Sequence, residues 1–249
     1  MRLAINYEEV CVQPGSGNLI ASLWNILSGM DCIICPSEFT LRNLKSLGYE
    51  NAVHIPTAID SKAFGVANGL QNNVLSVGRL GVIKNLATIL LAFSKVRDEV
   101  PDARMMVVGD GPLRQVFQQM VGRLNLLGWI SFVGSQPSQP LYSQAKLYVQ
   151  SSFSENGSLT VLEALSSGLP CVLSDIGGHR YGTGSVRFVK HDDFSGFADE
   201  MVTLLTDDKL WRRLHRGALR DVAKYDIGVV KLQYQKLFES LMGVKRFKR

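Results

Sequence analysis

The sequence predicts an α/β protein built on an open, doubly wound parallel sheet of Rossmann-like kind. Three observations carry this. From residue 73 onward, short runs rich in Val, Ile and Leu alternate with segments whose apolar residues recur at helical spacing. The runs lack a polar side, as strands covered on both faces do. After each of the first five come Gly, Ser, Asp or Arg, at the strand ends where open α/β sheets bind ligands.

In order, residues 73–80 (NVLSVGRL) read as a strand ending in Gly78-Arg79. Residues 85–101 read as a helix stopped at Pro101. Residues 103–111 (ARMMVVGDG) form the second strand. A helix to Leu124 follows, with Pro112 in its first turn, a position that suits proline. Residues 129–135 (WISFVGS) are a third strand, 139–145 a short helix, and 146–152 (KLYVQSS) a fourth strand. Residues 158–168 (SLTVLEALSSG) form a helix closed by Gly168. Two further strands, 169–178 and 185–190, precede helices at 194–206, 208–225 and 227–242.

The first 60 residues differ. Segments 17–27 and 38–48 read as helices, 31–37 (DCIICPS) and 51–59 as strands. This is a small α/β fragment, and the Gly/Asn-rich stretch 65–73 reads as a linker. The expected organisation is a partial lobe at 1–64, a larger domain at 65–225, and a crossover helix with a basic tail at 226–249.

A chain of 249 residues, 46% hydrophobic and 20% charged, can bury a sizeable core. It has no apolar run near the roughly 20 residues of a membrane span. Its start lacks a signal pattern, so a cytoplasmic protein is expected. Much of the +5 charge sits in the tail VKRFKR, read either as solvated or as a patch for anionic lipid or nucleic acid. No nucleic-acid partner is expected. Cys32 and Cys35 lie three apart on a strand and point to opposite faces, and no second pair completes a zinc site. The His residues show no metal spacing.

Two places carry chemistry. Arg79 and Lys84 flank a strand end and a helix start, where free N–H groups and the helix dipole favour an anion. They read as a pyrophosphate site or as solvated charges. In the stretch SENGSLTVLEAL, Asn156 or Ser158 suits an N-cap, and Glu155 lies just outside that helix end. Glu163, inside the helix, is either a partly exposed carboxylate or a ribose holder.

The blocks SVGRLGVIKN, ARMMVVGDGPLRQ, ISFVGS and LYSQAKLYVQSSFSENGSLTVLEALSSGLPCVLSDIGG, in this order and spacing, resemble the nucleotide-sugar-binding half of retaining glycosyltransferases. The family is glycosyltransferase family four, glycosyl transferases group 1, of the GT-B fold. Glu155 and Glu163 match its signature of two glutamates separated by seven residues. The resemblance implies that Glu155 hydrogen-bonds the transferred sugar and that Glu163 binds the ribose. It implies that Arg79 and Lys84, after Gly78, hold the donor diphosphate and stabilise the leaving phosphate. Backbone N–H groups of Asn156, Gly157, Ser158 and Leu159, with Thr160 beside them, would contact sugar and phosphate. Gly134 and Ser135 would lie near the base. The implied reaction moves a sugar from a nucleoside diphosphate, UDP or GDP, to an acceptor hydroxyl of a glycan, lipid or small molecule. Configuration is retained, and neither metal nor cofactor is needed.

There are departures from the family pattern. Asn156-Gly157-Ser158 stands where the family has Gly-Phe-Gly, and Asn85 where it has Gly. Residues 31–60 resemble the end of the family's other lobe. That lobe's Gly-rich loop and sugar-facing histidine have no match, and neither the stretch 14–18 (PGSGN) nor His54 is assigned to them. The alternative function is a non-catalytic nucleotide-sugar-binding module or a truncated remnant needing a partner chain. The last helix is expected to cover the first lobe, leaving apolar area for self-association or a partner.

Overall fold

The computed structural model describes residues 3–5, 27, 29–181 and 184–243. A three-stranded parallel sheet comes first, from β1 (Leu3–Ile5), β2 (Cys32–Cys35) and β3 (Ala52–His54), paired in that order. The helix α1 (Glu38–Ser46) joins β2 to β3, its start capped by Ser37 and its end closed by Gly48 at φ +89°. Cys32 packs on one side of β2 with Ile34 and Ile55, and Cys35 on the other with Ile33 and Leu44. Both are free thiols, and burial pushes Cys35 up to about 11.

The larger sheet has six parallel strands: β4 (Asn73–Val77), β5 (Arg104–Val108), β6 (Ile130–Gly134), β7 (Leu147–Gln150), β8 (Cys171–Ser174) and β9 (Val186–Val189). Their spatial order is β6-β5-β4-β7-β8-β9. Strand order therefore reverses between β4 and β7, and a crevice opens there at the carboxyl ends. Helices α2 (Leu86–Glu99), α3 (Arg114–Arg123) and α6 (Phe194–Thr206) cover one face, against Val74, Met105, Leu147 and Val172. Helices α4 (Gln139–Tyr142), α5 (Leu159–Ser166) and α7 (Asp208–Val222) cover the other, against Leu75, Tyr148 and Leu173. Neighbouring strand residues serve opposite faces, which is why these strands carry no polar side.

Some expectations change. Pro112 lies two residues ahead of α3, in the preceding turn, because Leu113 forms the cap. The helix expected at 208–225 is α7 followed by a separate 3-10 turn, Ala223–Tyr225. Strand β1 has no counterpart in the sequence reading; three residues are too few for a periodic signal. The helix expected at 17–27, apart from Leu27, and the stretch 14–18 lie outside the described residues. The linker is docked: Ala67 donates its N–H to Ser167, and Gly69 lies on the Trp211 ring.

The chain passes between the two sheets beside Ile59 and Asp226. Ile59 donates to the Tyr225 carbonyl (2.9 Å), Ile227 donates to the Ile59 carbonyl (2.9 Å), and Ser61 Oγ donates to Asp226 (2.8 Å). The helix α8 (Ile227–Leu241) then returns to the small sheet. Its Val230 is buried with Cys32, Ile34 and Ile55, and Tyr234, Leu237 and Leu241 pack around them. Val229 faces out, as do Ile227, Leu232 and Met242. Among the described residues no helix is long and apolar enough to cross a membrane.

Candidate functional site

The loops after β4 and β5 run side by side beyond the sheet. Gly78 donates to the Val108 carbonyl and Leu80 to the Asp110 carbonyl, both at 2.9 Å. A Cβ on Gly109 would overlap the Gly78 carbonyl, and one on Gly111 would overlap Leu80. The two glycines of GDG are thus needed for backbone clearance. Asp110 turns away to pair with Arg114 at 3.0 Å. Arg79 is exposed, and among the described residues it has no ion pair.

Lys84 ends a 3-10 turn, Val82–Lys84, and Asn85 follows in the left-handed conformation (φ 49°, ψ 40°). Most residues avoid that region, whereas glycine and asparagine accept it. This gives a physical reason for Asn85 to stand where the resemblance implies glycine. Its side chain also donates to the carbonyls of Ser151 (3.2 Å) and His191 (2.8 Å), tying the Lys84 turn to the end of β7.

Across the crevice Lys84 Nζ meets Glu155 Oε1 at 2.5 Å. The same oxygen accepts from Gln150 Nε2 and Ser152 Oγ, each at 2.7 Å. Among the described residues no donor reaches the other carboxylate oxygen. Behind Glu155 lies a buried polar network. Gln150 Oε1 is 2.8 Å from the Tyr148 hydroxyl and 3.1 Å from Ser158 Oγ, and Tyr148 also reaches Thr160 at 2.8 Å. Gly78, Arg79, Lys84, Gln150 and Ser151 line a small cavity at this point.

Ser158 occupies the N-cap of α5, but no side chain caps the helix. The hydroxyl turns into the network instead, toward Gln150 and Thr160. The first turn of α5 therefore keeps its N–H groups free of a side-chain acceptor, the arrangement that suits an anion. Glu163 is the fifth residue of α5. Its Oε2 accepts from the Tyr142 hydroxyl at 2.6 Å and from Ser138 Oγ at 3.4 Å. Burial pushes its pKa up, and these two hydrogen bonds partly offset that. Gly134 and Ser135 close β6, two strands from β4. Gly134 has φ +78°, and Ser135 is exposed.

The small sheet reaches the loop between the glutamates. Thr40 Oγ1 is 3.4 Å from Asn156 Oδ1, and Gly157 sits against Thr57, Pro36 and Tyr181. Behind the loop, Gly178 backs onto the Glu155 carbonyl so closely that no Cβ fits. The next residue, His179, is fully buried. Its Nδ1 lies 2.9 Å from the Ser174 carbonyl, and among the described residues Nε2 has no partner. Burial lowers its pKa to about 4.

The expected residues thus fall into two groups. Gly78, Arg79, Lys84, Glu155 and the loop 156–160 gather at the crevice between β4 and β7. Glu163, with Tyr142 and Ser138, stands deeper along α5. Gln150, Tyr142, Ser138 and His179 were not picked out from the sequence. One signal existed: Gln150, Ser151 and Ser152 are consecutive polar residues ending an apolar strand.

An open parallel sheet with paired loops and an uncapped helix at its switch point is a doubly wound α/β architecture, and its fold is of the GT-B type. The family model for Glycosyl transferases group 1 matches residues 71–207, more than half of the chain, and the chain belongs to that family. N-acetyl-alpha-D-glucosaminyl L-malate synthase of Bacillus anthracis is 29% identical over 167 residues, covering 65% of this chain and 43% of its own length. Sulfoquinovosyl transferase SQD2 of Arabidopsis thaliana is 27% identical over 234 residues, covering 84% and 45%. The Anabaena protein Alr3699/HepE, solved in complex with UDP and glucose, superposes with a TM-score of 0.86 at 16% identity, over 96% of this chain and 71% of that one. At that identity the likeness speaks for the fold alone. The chain spans about half the length, or less, of the curated relatives it matches.

Proposed function

We propose that this chain is the donor-binding part of a retaining glycosyltransferase of family four, which moves a hexosyl-type sugar from UDP or GDP to an acceptor hydroxyl. The observation that carries the reading is the convergence of Arg79, Lys84, Glu155 and the uncapped start of α5 on one crevice at the strand-order reversal. As the anomeric C–O bond breaks, the diphosphate gains negative charge. Arg79, Lys84 and the α5 N-terminus meet that charge, the electrostatic strategy common to such transfers. Protein groups suffice for it, so the reading requires no metal. Glu155, with one oxygen fixed by three donors, offers the other to the transferred sugar. Glu163, oriented by Tyr142, accepts from the ribose hydroxyls. Residues 65–225 form the donor-binding domain, 1–64 belong to the acceptor-side lobe, and 226–249 comprise the crossover helix and a basic tail. The HepE complex with UDP and glucose is consistent with such a donor.

Calorimetry with UDP, GDP and the matching nucleosides tests this. Glu163→Ala should weaken the nucleotide by ~1.5–3 kcal/mol, the typical value of a hydrogen bond to a charged group. Arg79→Ala should weaken the diphosphate while sparing the nucleoside. Equal loss for both ligands, or no loss with Glu163→Ala, would remove the assignment.

A further inference from the structure

Helix α7 carries Lys209, Arg212, Arg213, Arg216 and Arg220 on its exposed side. At 3.6 residues per turn these five fall within an arc of about 100° and extend about 17 Å along the axis. The opposite side buries Trp211, Leu214, Ala218 and Val222. Among the described residues none of the five has an ion pair. The acidic residues nearby are engaged elsewhere. Asp207 caps the Leu210 N–H, Asp208 pairs with Lys146, and Asp221 accepts from Ser185.

The fold does not account for this face. Lys209/Arg213, Arg212/Arg216 and Arg216/Arg220 are like charges at i,i+4, which weaken a helix. Lys209 and Arg212 sit toward the positive end of the helix dipole, where cations are disfavoured. A merely solvated helix face usually mixes both signs.

We propose that the outer face of α7 is a docking surface for an anionic lipid bilayer. A straight single-sign stripe complements a plane of lipid phosphates. Nucleic acid fits less well, because Trp211 and His215 stack on each other along the inner side and no aromatic stands among the outward cations as a platform for bases. The surface stands apart from the donor crevice, so its test does not depend on the transferase reading.

The experiment is co-sedimentation of the full chain with vesicles of phosphatidylcholine alone and of phosphatidylcholine mixed with phosphatidylglycerol. The chain should pellet with the anionic vesicles only, and release as salt is raised. Replacing Arg212, Arg216 and Arg220 together by Gln should lower the partition coefficient on the order of a hundredfold, at ~5-fold per cation. The urea midpoint of that variant should hold or rise, because repulsion is removed. A variant with Lys245, Arg246, Lys248 and Arg249 replaced by Gln should keep most of the binding. Equal pelleting with neutral vesicles overturns the proposal, as does undiminished binding of the α7 variant or loss of binding confined to the tail variant. Tighter binding to a short RNA duplex at the same salt would overturn it in favour of nucleic acid.

Discussion

Replacing Lys84 by Met removes the cation from Glu155 while keeping most of the side-chain stem. The Glu155 side chain is 11% exposed, and its bound oxygen would retain only Gln150 and Ser152 as donors. Breaking a buried ion pair from one side typically costs ~3–5 kcal/mol, because a charge is left uncompensated. Lys84 is 29% exposed, so solvent screens part of the pair. That lowers the expected loss to ~2–3 kcal/mol. Glu155→Gln removes the charge in place, keeps an acceptor for Gln150 and Ser152, and leaves Lys84 free to reach water. Its cost should be nearer ~1 kcal/mol. If the two side chains act as a pair, the double variant should cost less than the sum of the singles by ~1–2 kcal/mol. Urea unfolding at neutral pH, with slopes compared so that midpoints convert to free energies, measures all four states. Additivity within ~0.5 kcal/mol would refute the coupling and with it the account of how Lys84 is held. The pair also has a functional consequence. Glu155→Gln should release Lys84 to the diphosphate, so UDP affinity should hold or rise while sugar transfer falls.

Tyr142→Phe removes the 2.6 Å hydrogen bond that favours ionised Glu163, so the carboxyl pKa, already raised by burial, should rise further. Nucleoside diphosphate affinity should fall by about tenfold at neutral pH and more as pH drops, since a protonated Glu163 accepts poorly. Calorimetry matching the parent at every pH would exclude this role. Asn85→Gly keeps the left-handed turn and should be mild. Asn85→Ala adds strain of ~1–2 kcal/mol to the lost side-chain bonds, and equal urea midpoints for the two variants would contradict the assignment. Burial lowers His179 from its ordinary 6.5 to about 4, so between these values the unfolded chain binds a proton that the folded chain does not. Its contribution is present above the upper value and lost as pH falls through the lower one, roughly 3 kcal/mol in all. His179→Gln should flatten the acid limb of the stability profile, and an unchanged slope would show that the imidazole is not held neutral.

Local pattern in the chain was enough for the strand-and-helix alternation, the parallel sheet, the opposite facing of Cys32 and Cys35, and the gathering of candidate residues at strand ends. These follow from periodicity and turn chemistry, which each segment carries in its own residues. The spacing of Glu155 and Glu163 and the order of the blocks were also legible, because both are distances along the chain. Only the folded molecule decided what each residue touches. Lys84 and Glu155 are 71 positions apart and meet because the strand order places β4 beside β7. Ser158 has the composition of a cap, yet its hydroxyl bonds Gln150, at the end of the strand before it. Gly109 and Gly111 close a segment read from sequence as the second strand, but their need for glycine comes from the loop after β4 lying against them. Glu163 owes its orientation to Tyr142, whose ring is buried by packing against Phe64 and Tyr148. A hydrogen bond between distant segments depends on how the sheet orders its strands, and that order minimises the energy of the whole chain rather than of any stretch within it.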